Sequence, residues 1–136
     1  SCTGGELGEM ITTVAGSSKY YVGGIVAYAN EVKVAQLGVN LETIERHGAV
    51  SEECAVEMAV GCKKVFGCDY ALSITGIAGP DGGTIEKPAG TVYIGLATKH
   101  QTTVKHFNFG VDRESVRARA CYAALEMLRR EILGIK

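Results

Sequence analysis

Residues 70–84 read Tyr70-Ala71-Leu72-Ser73-Ile74-Thr75-Gly76-Ile77-Ala78-Gly79-Pro80-Asp81-Gly82-Gly83-Thr84. The first six form a short apolar run suited to a buried strand, and a glycine-rich loop from Gly76 to Gly90 follows it. In open α/β sheets, ligands bind in the crevice outside the carboxyl ends of strands. Glycines at that place let backbone N–H groups approach an anion closely. Beyond the loop, Thr91–Thr98 and Thr102–Phe109 are two further strand-like runs, split by the polar turn Lys99-His100-Gln101 as in a hairpin.

Helical patterns lie on either side of this core. Ser51 is placed to cap a long helix whose apolar stripe is Cys54, Ala55, Met58, Ala59, Cys62, Val65 and Phe66, with Glu52 and Glu53 in the first turn where the dipole favours anions. Asp112 is placed to cap the last helix, with Val116, Ala120, Ala123, Ala124, Met127, Leu128 and Ile132 on its apolar face. Towards the N-terminus, Asn40–Gly48 reads as a short helix. Asn30 is expected to cap a helix that ends at Gly38, and Ile25-Val26-Ala27-Tyr28-Ala29 reads as another short strand. Thr3-Gly4-Gly5-Glu6 has the capping-box pattern ahead of Leu7, Met10, Ile11 and Val14, one helical face that Gly16 should close. Strands alternate with helices at first and end in a hairpin, so the pattern implies an α/β layered fold with a mixed sheet.

Composition bounds the function. The 136 residues suit a single domain, and 46% hydrophobic with 21% charged content excludes a disordered chain. Fourteen basic against fifteen acidic side chains leave a net charge of -1, which gives no electrostatic footprint for nucleic acid or a membrane surface. The five cysteines are odd in number and contain no C-x-x-C pair, which points to reduced, mostly buried thiols in a cytoplasmic protein. His47, His100 and His106 lack metal-ligand spacing.

Three segments carry candidate chemistry. Ser1-Cys2-Thr3-Gly4-Gly5 sits at the mouth of a helix, where free N–H groups suit an anion or a developing oxyanion; a capped helix with closely packed glycines is the other reading. In Tyr28-Ala29-Asn30-Glu31-Val32-Lys33, a cap at Asn30 puts Lys33 at the third helical position, where the helix dipole and any burial push its pKa down towards that of a general base; a solvated lysine is the alternative. The glycine loop is the third, as a binding element, although it is not a P-loop because no Gly-Lys-Ser/Thr follows. Asp69 and Asp81 have no evident carboxylate partner for paired acid–base work. Arg113, at the start of the last helix, can meet a phosphate or carboxylate, or simply be solvated.

These segments together closely resemble the CinA C-terminal domain family. The match runs through Ser1-Cys2-Thr3-Gly4-Gly5, Gly16-Ser17-Ser18, Tyr28-Ala29-Asn30-Glu31-Val32-Lys33, His47-Gly48-Ala49-Val50-Ser51, Gly76-Ile77-Ala78-Gly79-Pro80-Asp81-Gly82-Gly83-Thr84 and Lys87-Pro88-Ala89-Gly90-Thr91-Val92, essentially the whole chain. The resemblance implies a three-layer α/β sandwich and a bacterial nicotinamide-nucleotide amidase. Such an enzyme hydrolyses the carboxamide of nicotinamide mononucleotide to nicotinate mononucleotide and ammonia, with no metal or organic cofactor. Some members stand alone and others are fused behind a molybdopterin-binding-like domain. By the same resemblance Ser1 is the nucleophile, Lys33 its base in a Ser–Lys dyad, and Tyr28 an orienting or relaying group. Thr3, Gly4, Gly5, Ser18, Asn30, Thr75, Gly76, Gly79 and Arg113 are the implied substrate-binding residues, and a homodimer is the implied assembly. Family members carry a helix and a strand ahead of S-C-T-G-G, so residues 1–136 are expected to form one amidase domain short of that pair, with Ser1 mid-chain in a longer parent. If Ser1 is instead a mature N-terminus, its α-amine would be the base, as in N-terminal-nucleophile hydrolases. A non-catalytic pyridine-nucleotide-binding module and an amidase for a related amide are the remaining alternatives.

Overall fold

A computed structural model describes all residues, 1–136. The elements are α1 (Glu6–Thr12), a 3-10 turn (Ser17–Lys19), α2 (Asn30–Leu37), α3 (Leu41–His47), α4 (Glu52–Phe66), β1 (Ala71–Gly76), β2 (Thr91–Ala97), β3 (Thr102–Asn108) and α5 (Arg113–Leu133). The strands form one sheet in the order β1-β2-β3, with Thr75 opposite Tyr93 and Tyr93 opposite His106.

The sheet is a middle layer. Alternation along β2 sends Val92, Ile94 and Leu96 to one face, where they meet Val116, Ala120, Cys121, Ala124 and Met127 of α5. Ala71, Ser73, Gly95 and Ala97 face α4 on the other side. There Ala71 and Ala97 pack against Ala59, and the Ser73 hydroxyl donates to the Ala55 carbonyl at 2.7 Å. A Cβ on Gly95 would stand 2.8 Å from that same carbonyl oxygen, so the missing side chain lets α4 lie close on the sheet. With both faces covered, β1 and β2 read as apolar runs and not as alternating ones. Two expected caps form: the Cys54 N–H donates to Ser51 Oγ at 3.1 Å, and the Ser115 N–H donates to Asp112 Oδ2 at 3.1 Å.

The α/β class with helices on both faces of a sheet is as the sequence implies, but the sheet is antiparallel throughout and not mixed. The segment Ile25–Ala29 joins no ladder. An apolar groove of about 930 Å³, lined by Ile25 and Val26 and by Ala71–Ile74 of β1, lies between the segment and β1. Ala27 is nevertheless fully buried, packed with Leu37, Val39, Cys54 and Met58.

Three helix boundaries also differ from the sequence reading. Gly4 and Gly5 both have positive φ, so the chain turns before α1 begins; Gly5 becomes the N-cap, and no Thr3–Glu6 capping box forms. Likewise α1 stops at Thr12, and Gly16 instead precedes the 3-10 turn. At α2 the cap is Ala29, with its carbonyl accepting from the N–H groups of Val32 and Lys33, so Asn30 is the first helical residue and Lys33 the fourth.

Candidate functional site

A cavity of about 270 Å³ opens at the carboxyl end of β1 and is lined by residues from five separate stretches of chain. Ser1 and Cys2 come from the N-terminal turn. Tyr28, Asn30 and Lys33 come from the start of α2, Ala49 and Val50 from the approach to α4, residues 75–79 with Asp81 from the glycine loop, and Arg113 from the first turn of α5.

Lys33 is the unusual member, because it is only 3% exposed. Lysines are almost never this buried unless the ammonium is satisfied. Here Nζ donates to the carbonyls of Ala27 at 2.9 Å and Tyr28 at 3.0 Å. Burial pushes its pKa down from the usual lysine range, against weaker opposing pulls from Cys54, Cys2 and Glu31. The same burial pushes the Cys2 and Cys54 thiols up, so both stay protonated beside the amine at neutral pH.

Ser1 is tied to β1: its Oγ donates to the Ile74 carbonyl at 3.3 Å, and its backbone nitrogen is hydrogen-bonded to the same oxygen. The turn that follows is clamped by Arg117, whose Nη2 donates to the Thr3 carbonyl at 2.8 Å. Thr75 is 1% exposed, and its hydroxyl donates to the Ala49 carbonyl at 2.8 Å, joining β1 to the approach of α4. Arg113 donates from Nη1 to the Gly79 carbonyl at 2.9 Å and from Nη2 to the Tyr28 hydroxyl at 3.4 Å, so it ties the glycine loop to the start of α2. The backbone N–H groups of Cys2, Ala78 and Gly79, all on residues lining the cavity, donate to no carbonyl in the chain.

The structure therefore brings Ser1, Tyr28, Asn30, Lys33, Thr75, Gly76, Gly79 and Arg113 to one cavity. Thr3, Gly4 and Gly5 lie off it, with Thr3 buried beside the apolar groove and Gly4 exposed, because the two positive-φ glycines carry the chain away after Cys2. Ser18, in the exposed 3-10 turn, also lines no part of it. Cys2, Ala49, Val50, Ile77, Ala78 and Asp81 also line the site, although none of them is among the individual residues that the sequence implies. His47–Ser51 stood out in sequence only as a motif, and its two apolar members carry no chemical signal of their own. Among all side chains, no three of His, Cys, Asp and Glu gather into a metal-binding group, and no helix is long and apolar enough to cross a membrane.

The model of the CinA C-terminal domain matches residues 1–132. The chain belongs to that family. A CinA-like protein of Kosmotoga olearia is 54% identical over 135 residues, covering 99% of this chain and 33% of the relative, and one of Thermotoga maritima is 48% identical over 134 residues, covering 98% and 33%. The chain thus spans about a third of the length of these curated relatives. Among solved CinA-family structures, competence damage-inducible protein A of Klebsiella pneumoniae superposes with a TM-score of 0.93 at 38% identity, covering 98% of this chain and 83% of that one. A CinA superfamily protein of Escherichia coli superposes with a TM-score of 0.91 at 37% identity, covering 96% and 76%. The order of elements described above is this chain's version of that family fold.

Proposed function

We propose that the cavity is the active site of an amidohydrolase acting on the carboxamide of nicotinamide mononucleotide, with Ser1 as nucleophile and Lys33 as base. One observation carries the reading: a buried lysine opens onto the cavity that holds Ser1, with two of its donor positions already taken by carbonyls. A protonated lysine has three N–H donors, and loss of one proton leaves two together with a lone pair. The Ala27 and Tyr28 carbonyls match the two that remain, which leaves the lone pair for a third direction. Burial favours that neutral state.

Neutral Lys33 takes the proton from Ser1 Oγ as the oxygen attacks the carboxamide carbon. The C–O bond forms, the carbonyl π electrons move to oxygen, and the free N–H groups of Cys2, Ala78 and Gly79 are candidates to hold that oxyanion. As the tetrahedral intermediate collapses, the C–N bond breaks, Lys33 returns its proton to nitrogen, and ammonia leaves. Water then attacks the acyl-serine with the same base, which releases nicotinate mononucleotide and restores Ser1. Tyr28 holds Lys33 through its backbone carbonyl, while its hydroxyl pairs with Arg113. At 270 Å³ the cavity lies just below the roughly 300–1,000 Å³ usual for ligand pockets, which suits the amide-bearing ring and leaves the ribose phosphate at the open rim.

Ammonia release from nicotinamide mononucleotide by the wild type, and its loss in Ser1→Ala and Lys33→Ala, tests the reading. A wild type that binds the nucleotide but releases no ammonia refutes it. That outcome would favour a second reading, a nucleotide-binding module. The observation on its side is that Ser1 Oγ and Lys33 Nζ bond to carbonyls and not to each other. A homodimer and a cytoplasmic location are further parts of the proposal, carried by the family resemblance. Sedimentation showing a single 14.3 kDa species would refute the dimer.

A further inference from the structure

Two side chains of unlike charge line the cavity without pairing to each other. Arg113 spends two of its five N–H donors on the Gly79 carbonyl and the Tyr28 hydroxyl, and the rest remain for a ligand. Asp81, two residues beyond Gly79 on the loop that Arg113 anchors, is the one carboxylate among the 14 lining residues and takes part in none of the four salt bridges. The other cationic side chain of the wall, Lys33, is held by the Ala27 and Tyr28 carbonyls and makes no ion pair with Asp81.

A neutral amide ligand gives Asp81 nothing to do. Asp81 is exposed at the cavity wall, so a neutral ligand displaces part of its hydration without offering a partner, which disfavours binding. A ring that carries a fixed positive charge reverses the sign, because the carboxylate then exchanges water for an opposite charge. Specificity is a difference of two affinities, so a single unpartnered carboxylate serves both to attract the cationic ring and to reject the neutral one.

We propose that Asp81 is a specificity-determining residue that recognises the positive charge of an N-substituted pyridinium amide, with Arg113 left to meet the ligand's anionic tail. The substrate class rests on the amidase reading above; the charge preference is a separate property of the cavity wall. The preference is for a zwitterionic nucleotide over an otherwise equal one with a neutral ring.

The test uses nicotinamide mononucleotide and its 1,4-dihydro form, which keeps the phosphate and carboxamide but has a neutral ring. Calorimetric titrations are made in the Ser1→Ala chain, which keeps the charged side chains of the wall and does not consume ligand. Circular dichroism checks the fold, and the KM of Asp81→Asn in the otherwise intact chain is the second readout. Asp81→Asn is expected to weaken the oxidised nucleotide by about three- to tenfold, the range of a partly exposed charge pair, and to leave the dihydro form within about twofold. Asp81→Glu should recover part of the loss, and the difference should shrink as salt screens the pair. Equal weakening of both ligands, no change in either, or failure of both to bind the parent chain overturns the proposal. Ammonia release is scored separately. Discrimination without hydrolysis would sink the amidase reading and leave Asp81's role standing, whereas hydrolysis without discrimination would do the reverse.

Discussion

Replacing Lys33 by arginine separates a base from a mere structural anchor. The wild-type amine reaches two carbonyls, at 2.9 and 3.0 Å, from a side chain only 3% exposed. Arginine offers five donors, so it can still satisfy those carbonyls, but it stays charged near neutral pH and cannot accept the serine proton. Removing a positioned general base costs about 10²–10⁴-fold in kcat. Lys33→Arg should show that loss, and Lys33→Met should lose as much activity and also stability. Methionine strands the Ala27 and Tyr28 carbonyls, a penalty of roughly 1–3 kcal/mol for each group left buried without a partner. Relief from burying an amine whose charged form is disfavoured offsets part of it, so the net loss for Lys33→Met is expected at about 1–3 kcal/mol in urea unfolding.

The pH dependence has a definite sign. A lysine base works when neutral, so kcat/KM should rise with pH through a Lys33 pKa that burial holds below the usual lysine value. The unfolded chain binds more protons than the folded one between that lowered pKa and the ordinary one. This group's share of stability therefore also rises with pH across that window. Ammonia release followed by a coupled assay from pH 6 to 10, beside urea midpoints at the same pH values, reads both. A Lys33→Arg enzyme with near-wild-type kcat and the same pH profile would refute the assignment.

Ser1→Ala should abolish ammonia release while calorimetry still detects the nucleotide. Arg113→Ala removes the 2.9 Å tie to Gly79 and should raise KM about tenfold with a smaller effect on the urea midpoint, since Arg113 is exposed. A Cβ on Gly61 would land on the Leu37 carbonyl oxygen at the end of α2, so Gly61→Ala should cost about 1–3 kcal/mol and, by displacing the helix that carries Lys33, lower kcat as well; an unchanged urea midpoint would contradict that packing. Burial pushes the Cys121 thiol up to about 12 and Cys62 up to about 11, so iodoacetamide at pH 8 should leave both largely unmodified in the native chain and reach all five cysteines only after denaturation, as mass spectrometry would count.

Local chemistry alone determined much of this protein. Ser51 and Asp112 cap α4 and α5 as their hydroxyl and carboxylate oxygens imply, and the strand-like runs at 70–75, 91–98 and 102–109 become the three strands within a residue or two. The residues that gather at the cavity were also legible as types: a serine before a glycine turn, a lysine near a helix start, and a glycine loop after a strand. What sequence could not supply were partners distant along the chain. Ile25–Ala29 has the composition of a strand, but a strand also needs a neighbour for its ladder, and only the tertiary arrangement shows a groove where that neighbour would be. The Thr3–Glu6 capping box fits its pattern, yet two consecutive positive-φ glycines redirect the backbone before a cap can close. From residues 28–33 alone Lys33 reads more readily as a solvated lysine than as a base, because burial belongs to the packing of α2 against α4. Asp81 carried no signal until the fold placed its carboxylate, unpaired, on the wall that holds Lys33 and Arg113. Capping and periodicity act within a few residues and are written in the sequence, whereas burial, pairing and the sharing of one cavity depend on contacts between residues far apart in the chain, such as Arg117 and Thr3, 114 positions apart, and exist only once the chain has folded.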